Sequence, residues 1–266
     1  MCGIAGYSVR PESTIDRTLA AQALLAAIAE RGADAVGYAY RSPAETYPTV
    51  VKQRTPASEL LDRIDVPTDA NQLLVHVRDY TKGHPSIAAN NHPVRHGPVI
   101  GIHNGIITND DELLAPLSCA RAEPRMTVDS EAIFAVVAHS RNDAHALEHL
   151  RGAMATSWVD EREPDTLFVA RGSGRPLWVG EARGAVFFAS TKLALEVVER
   201  YCAIKLRKRE LGAGTWLVLQ GGEVVRRERF RPDLDYREAD PLPAVRAPGE
   251  RDFCLSRLAA IAAPAA

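Results

Sequence analysis

No two cysteines of this sequence stand at metal or redox spacing. Cys2, Cys119, Cys202 and Cys254 lie far apart, and no Cys-x-x-Cys pair occurs. A disulfide framework is therefore not expected, and a reduced, cytoplasmic protein is the default. An excess of charge of one sign is also missing. The 32 Lys and Arg against 34 Asp and Glu leave a formal charge of -2, which gives no electrostatic reason to expect nucleic acid or an anionic membrane as partner. Long apolar runs are absent too: the stretch from Ala20 to Ala29 is well short of the roughly 20 residues a membrane helix needs. No basic segment precedes an apolar stretch at the start, so no secretory signal is expected. Phosphate loops are wanting, because RGSG (Arg171 to Gly174) lacks both the Walker spacing and a following helix. Five of the eight histidines fall between His76 and His103. Pro93 separates His92 from His96, however, and no cysteine or carboxylate nearby has zinc-ligand spacing. Neither a metal nor a cofactor is expected.

What is present suits a globular chain. Its 266 residues, 46% hydrophobic and 25% charged, are enough for one large domain or two small ones. Cys2 to Ser8 reads as a buried strand. A helix is expected over Ile15 to Glu30, with Thr14 as N-cap and Gly32 just past its end. Further strands are predicted over 35–41, 49–53, 72–77 and 99–103, with a short helix over 57–64. A second long helix is predicted over 129–139, continuing at 144–150. Beyond it strand candidates crowd together at 153–159, 166–170, 176–179, 185–189, 214–219 and 223–230, interrupted by a helix at 192–201. Closely spaced strands with grouped helices favour an α+β fold with antiparallel sheets. After about Pro232 the composition shifts to Pro, Ala and charge, which reads as an extended tail with one short helix near Cys254 to Ile261.

Several side chains carry both an ordinary and a chemical reading. Cys2 is a small hydrophobe on a strand in the first reading. In the second, Met1 is removed and Cys2 supplies a thiol together with its own α-amine, a model amine of this kind having a pKa of about 7.7–8.0. Arg78, in HVRDYTKGHPS (His76 to Ser86), is either a solvated strand-end charge or a planar fork for a substrate carboxylate. Asn104-Gly105, in IHNGII, is ordinarily a turn signal. It can also place a side-chain amide and a backbone N–H where a tetrahedral oxyanion forms. Asp129, in TVDSEAIF, is a helix cap or an acid for a substrate ammonium. Arg78 with Asp129 would read the zwitterionic end of an amino acid.

Taken in order, these stretches resemble one family, the class II glutamine amidotransferase domains, which are N-terminal-nucleophile hydrolases. MCGIAG resembles the family's opening, RGADAVGYA (Arg31 to Ala39) its Arg-Gly-x-Asp turn, and HVRDYTKGHPS its arginine loop. NNHP (Asn90 to Pro93) is similar to its Asn-x-His-Pro element, HNGIITN to its oxyanion segment, and VDSEAI to its Asp-(Ser/Thr)-Glu helix start. The resemblance covers roughly residues 2–230, leaving 231–266 as the tail. It implies a four-layer αββα sandwich with two stacked antiparallel sheets. It also implies L-glutamine as substrate, with Cys2 as nucleophile and Asn104 and Gly105 holding the oxyanion. Arg78, Thr81, Gly83 and Asp129 would bind glutamine, and Arg31, Gly32 and Asp34 would support the site. Two departures stand out. Asp79 and Lys82 replace the tryptophan and histidine that the synthase branch carries in this loop, and a solvated Asp79–Lys82 pair is the expectation there. Synthases of the family also continue into a second domain, whereas only a short stretch follows Phe230. A separate synthase subunit is therefore expected to receive the ammonia, with the exposed tail as a docking element and a homo-oligomer as a further option. A self-sufficient hydrolase of glutamine-like amides and a non-catalytic glutamine-sensing subunit stay open as alternatives.

Overall fold

A computed structural model describes residues 1–115, 121–238 and 243–263; Cys119 lies outside the described residues. In chain order the strands and helices are β1 (Gly3–Val9), α1 (Arg17–Ile28), β2 (Ala35–Arg41), β3 (Thr49–Gln53), α2 (Ala57–Leu60), β4 (Gln72–Arg78), β5 (Val94–His96), β6 (Val99–Ile107), α3 (Asp110–Leu114) and α4 (Glu131–Ser140). They continue with β7 (Gly152–Asp160), β8 (Thr166–Arg171), β9 (Trp178–Ala182), β10 (Ala185–Ala189), α5 (Lys192–Tyr201), β11 (Arg207–Glu210), β12 (Thr215–Gln220), β13 (Glu223–Arg229) and α6 (Glu250–Ile261).

The strands form two sheets, ordered β11-β9-β10-β1-β4-β2-β3 and β13-β12-β8-β7-β6-β5, and their pairings are antiparallel. Strand alternation sorts the side chains into layers. In β1 and β4, Ala5, Tyr7, Val9, Leu73, Val75 and Val77 pack under α1 and α5. Ile4 and Leu74 point the other way and meet Ile100 and Ile102 of β6 between the sheets. The opposite face of the second sheet, with Met154, Trp158 and Phe168, is covered by Ile133, Phe134 and Val137 of α4. The outcome is helices, sheet, sheet, helices: a four-layer αββα sandwich with two stacked antiparallel sheets. The helix RTLAAQALLAAI is apolar on nearly all sides because it is enclosed by β1, β4, α5 and α6.

Three local expectations are corrected. The N-cap of α1 is Asp16, whose carboxylate accepts from the Leu19 amide at 2.9 Å, not Thr14. A carboxylate satisfies an orphan helix donor at least as well as a hydroxyl. Asn104-Gly105 is not a turn: β6 runs straight through it, with Asn104 opposite Ala155 and Gly105 opposite Met154. A nine-residue partner strand overrides the local turn propensity. The expected helix near Cys254 to Ile261 is present as α6, but residues 246–258 are packed on the fold and do not form an exposed tail. Arg246 and Ala247 donate their amides to the Glu30 carbonyl at 2.8 and 2.9 Å. Beyond them α6 buries Cys254 and Leu258 in the α1 layer, and Glu250 accepts from the Ser58 amide at 2.7 Å.

Candidate active site

The alternation that builds the core also aims the polar groups. In β1 and β4 the even-numbered residues face the gap between the sheets, and Cys2, His76 and Arg78 follow Ile4 and Leu74 in that register. In β6, Gly101 lies against the Phe134 ring of α4, so Ile100, Ile102 and Asn104 point to the same gap from the opposite side. Three strands thus deliver a thiol, a guanidinium and a carboxamide to one end of the inter-sheet space. There a small open cleft is lined by Cys2, Arg78, Thr81, His92, Gly105 and Asp129, among others.

The Arg31-Gly32-x-Asp34 turn locates two strand ends at once. Arg31 Nε donates to the Cys2 carbonyl at 2.9 Å. Gly32 permits a close approach: a Cβ there would collide with the Arg78 carbonyl and the Asp79 nitrogen. The Asp34 amide donates to the Arg78 carbonyl at 3.0 Å, and its carboxylate accepts from the Tyr80 amide at 2.9 Å. The peptide units on both sides of Asp79 are therefore pinned beside Cys2.

Arg78 is 2% exposed. Its Nη1 donates to Asn91 Oδ1 at 2.6 Å, and its Nη2 donates to the carbonyls of Lys82 (3.0 Å) and Gly83. These bonds fold the 79–84 loop around the guanidinium and use part of its five-donor fork. Gly83 has φ +81°, and a Cβ there would press on the Asn90 side chain and the Val128 backbone, so glycine is what the loop requires. Thr81 is exposed on the cleft wall. The expected Asp79–Lys82 pair is corrected. Lys82 instead reaches Asp110 at 2.6 Å and Asp111 at 3.2 Å, while Asp79 pairs with the Met1 ammonium and with Arg246. The loop turns the two side chains to opposite sides, and each finds a nearer partner.

Asp129 is 3% exposed and sits just before α4. Its Oδ2 accepts from the Ile107 amide at 2.7 Å, and burial pushes its carboxyl up to about 6. Burial likewise raises the Cys2 thiol, which donates to the Asp79 carbonyl at 3.4 Å, although the charges of Arg78 and of the chain's terminal ammonium favour the thiolate. A protonated thiol that needs a base to act is the consequence. Asn104 is fully buried, and neither its Nδ2 nor its Oδ1 has a partner among the described residues. Such a carboxamide is costly unless something fills its hydrogen bonds. At Gly105 φ is +152°, and a Cβ would collide with the Ala153 carbonyl.

Sequence reasoning quoted the NNHP element but gave its residues no task. Asn90 Oδ1 accepts from the amides of Thr127 (2.8 Å) and Val128 (3.1 Å), which lead into Asp129. Asn91 holds Arg78. His92 lines the cleft, stacked on His76 with ring centroids 4.1 Å apart, and neither of its ring nitrogens has a partner among the described residues. The paired asparagines that begin six positions beyond the 79–84 loop are the signal that was available. Burial drives His76 and His103 down to about 3 and His92 well below its ordinary value, so all three imidazoles are neutral near pH 7. Among the described residues no group of His, Cys, Asp and Glu is placed to hold a metal ion.

Comparisons with known proteins bear on the family and the fold. Residues 79–197 match the family described as a glutamine amidotransferase domain. The glutamine–fructose-6-phosphate aminotransferase (isomerizing) of Salmonella typhi is 40% identical over 139 residues, 48% of this chain and 22% of that protein. The enzyme of the same name from Idiomarina loihiensis is 33% identical over 212 residues, 75% of this chain and 33% of the relative. The chain thus spans a third or less of the curated relatives it matches. Among solved structures, the glutamine phosphoribosylpyrophosphate amidotransferase of B. subtilis superimposes with a TM-score of 0.66 at 19% identity, covering 86% of this chain and 49% of that one. A glutamine aminotransferase class-II domain protein from Silicibacter pomeroyi gives 0.53 at 19% identity, covering 87% and 100%. At that identity the two structures speak for the fold.

Proposed function

We propose, for a chain that carries a class II glutamine amidotransferase domain, that it hydrolyses the side-chain amide of L-glutamine through a γ-glutamyl thioester on Cys2. The carrying observation is that three strands and the start of α4 bring Cys2, Arg78, Gly105 and Asp129 to one cleft, with the unpartnered carboxamide of Asn104 beside it. In this reading Met1 is removed and the free α-amine of Cys2 is the base. The amine takes the thiol proton as sulfur attacks the amide carbon. Oxygen becomes an oxyanion that accepts from Asn104 Nδ2 and the Gly105 amide. Along β6 the N–H groups alternate in direction, so Gly105 shares the edge on which Ile107 donates to Asp129. The carbon–nitrogen bond then breaks and the protonated amine returns its proton to the leaving ammonia. Water, deprotonated by the same amine, cleaves the thioester and releases glutamate.

Arg78 takes the α-carboxylate with the donors its loop leaves over, Asp129 takes the α-ammonium, and Thr81 and Gly83 shape the loop that covers both. Asp129 must be ionised for this, and a bound ammonium favours that form. The relatives' names describe transferases, and in keeping with them the nitrogen passes to a synthase partner outside these 266 residues.

Blocked substrates test the reading. Glutamine is expected to release glutamate and ammonia in equal amounts. N-acetylglutamine, which lacks the ammonium, and glutamine α-amide, which lacks the carboxylate, should each lose about 10²-fold or more in kcat/KM, since each leaves a buried charge unpaired. Equal turnover of all three would point to an amide hydrolase that does not read the zwitterion.

A further inference from the structure

We propose that Asp79, held by Arg246 from the C-terminal segment, is a positioning residue for the α-amine of Cys2. The inference deepens the functional reading above and rests on it. Asp79 stands directly after Arg78, where both flanking peptides are fixed by Asp34 and by the close approach of Gly32. Its side chain is only 10% exposed, yet it carries two cationic partners. One is the terminal ammonium of the chain, here on Met1. The other is Arg246 Nε, 3.1 Å away. The main-chain carbonyl of the same residue receives the Cys2 thiol at 3.4 Å. Asp79 therefore borders the cysteine through its backbone and the terminus through its carboxylate.

Removal of Met1 transfers the positive charge to the Cys2 nitrogen, a single residue along the chain, where consecutive Cα atoms are about 3.8 Å apart. Asp79 is also the carboxylate coupled to the Cys2 thiol itself. The amine of an N-terminal residue swings about its Cα–C bond, and an ion pair at a fixed, largely buried carboxylate limits that rotation. Arg246 is anchored in its turn. Its amide and that of Ala247 donate to the Glu30 carbonyl, one residue before the Arg31 that holds the Cys2 carbonyl. The segment is thereby a strut for the catalytic end of β1.

Charge makes the role measurable. The base must be neutral to accept the thiol proton, and Asp79 favours its protonated form. Arg246 opposes Asp79. Around the terminus stand the Cys2 thiol, Arg78 and Arg31, with Asp129, Asp34 and Tyr80 beside Arg78, and Glu30 and Arg175 beside Arg31. They are common to all variants, so differences isolate the Asp79–Arg246 pair.

The test is kcat/KM for glutamine against pH in the processed enzyme carrying Asp79→Asn, Arg246→Gln or both. Asp79→Asn is expected to move the acidic limb to lower pH by about 0.5–1.5 units, the size of a nearby-charge effect. Arg246→Gln, at a side chain 38% exposed and so tolerant of change, should move it the opposite way. The double variant should follow Asp79→Asn. Limbs that stay in place, or that both move in one direction, overturn the proposal, as does a loss uniform across pH. Failure of the functional reading looks different: it is the absence of glutamate release by the unaltered enzyme.

Discussion

Cys2→Ala is expected to lower glutamine hydrolysis by more than about 10⁴-fold, as loss of a covalent nucleophile does when nothing else can form the acyl intermediate. Glutamine affinity in the same variant should stay within about threefold, measured by calorimetry, because the groups that read the zwitterion are elsewhere. Arg78 is held by Asn91 and its own loop, and Asp129 by the Ile107 amide. Neither support passes through the thiol. The split between lost turnover and kept binding is the signature of a residue that acts only on the reacting bond. Turnover retained above background would mean that another group attacks the amide. Loss of binding together with turnover would mean that Cys2 is structural, a strand residue whose carbonyl anchors Arg31.

A fall of about 3 kcal/mol in stability between pH 7.5 and 5.5 is the second large effect. His76, His92 and His103 are buried without charge: burial depresses the folded values of His76 and His103 to about 3 and holds His92 well below its ordinary value. In the unfolded chain they protonate near 6.5. Below that pH the unfolded state binds more protons, so their contribution is full above about 6.5 and is lost as pH falls towards 3. Each histidine costs about 1.4 kcal/mol per pH unit within that window, so three cost about 4 by pH 5.5. Asp129 works with the opposite sign. Its folded value is raised to about 6, so protonating it as pH falls returns just under 1 kcal/mol by pH 5.5. Urea unfolding at half-unit pH steps measures the net slope. A flat profile over this range would show that the imidazoles reach solvent or protonate in place.

How much of this was legible in the sequence depends on which force decides each part. Strands such as 35–41, 72–77 and 185–189 are visible because burial imposes largely apolar runs on them. β5 and β11 escaped notice because Val94-Arg95-His96 and Arg207-Lys208-Arg209-Glu210 sit on sheet edges, where charge guards an exposed ladder and hides the pattern. β6 was cut short at His103, since Asn-Gly carries a turn signal and only pairing with β7 shows the strand continuing. The candidate site residues were found as separate motifs, and strand parity explains their meeting: the even positions of β1, β4 and β6 share one gap. The partners of Asp79 and Lys82 could not be read, because Arg246 lies 167 residues away and Asp110 28 residues away in the chain. Contacts of that kind are set by tertiary packing and leave no periodic trace. The same holds for His92, whose lack of a partner among the described residues is a property of the packed cleft.

The central claim is that Cys2 begins the working chain and carries the acyl group. Acid-quenching the enzyme during glutamine turnover and weighing the intact protein tests it most directly. The account predicts a chain that starts at Cys2, with a fraction heavier by one γ-glutamyl group that maps to the Cys2 peptide and disappears when glutamine is exhausted. Active material that retains Met1, or full turnover with no acyl adduct on Cys2 under rapid quench, would contradict it.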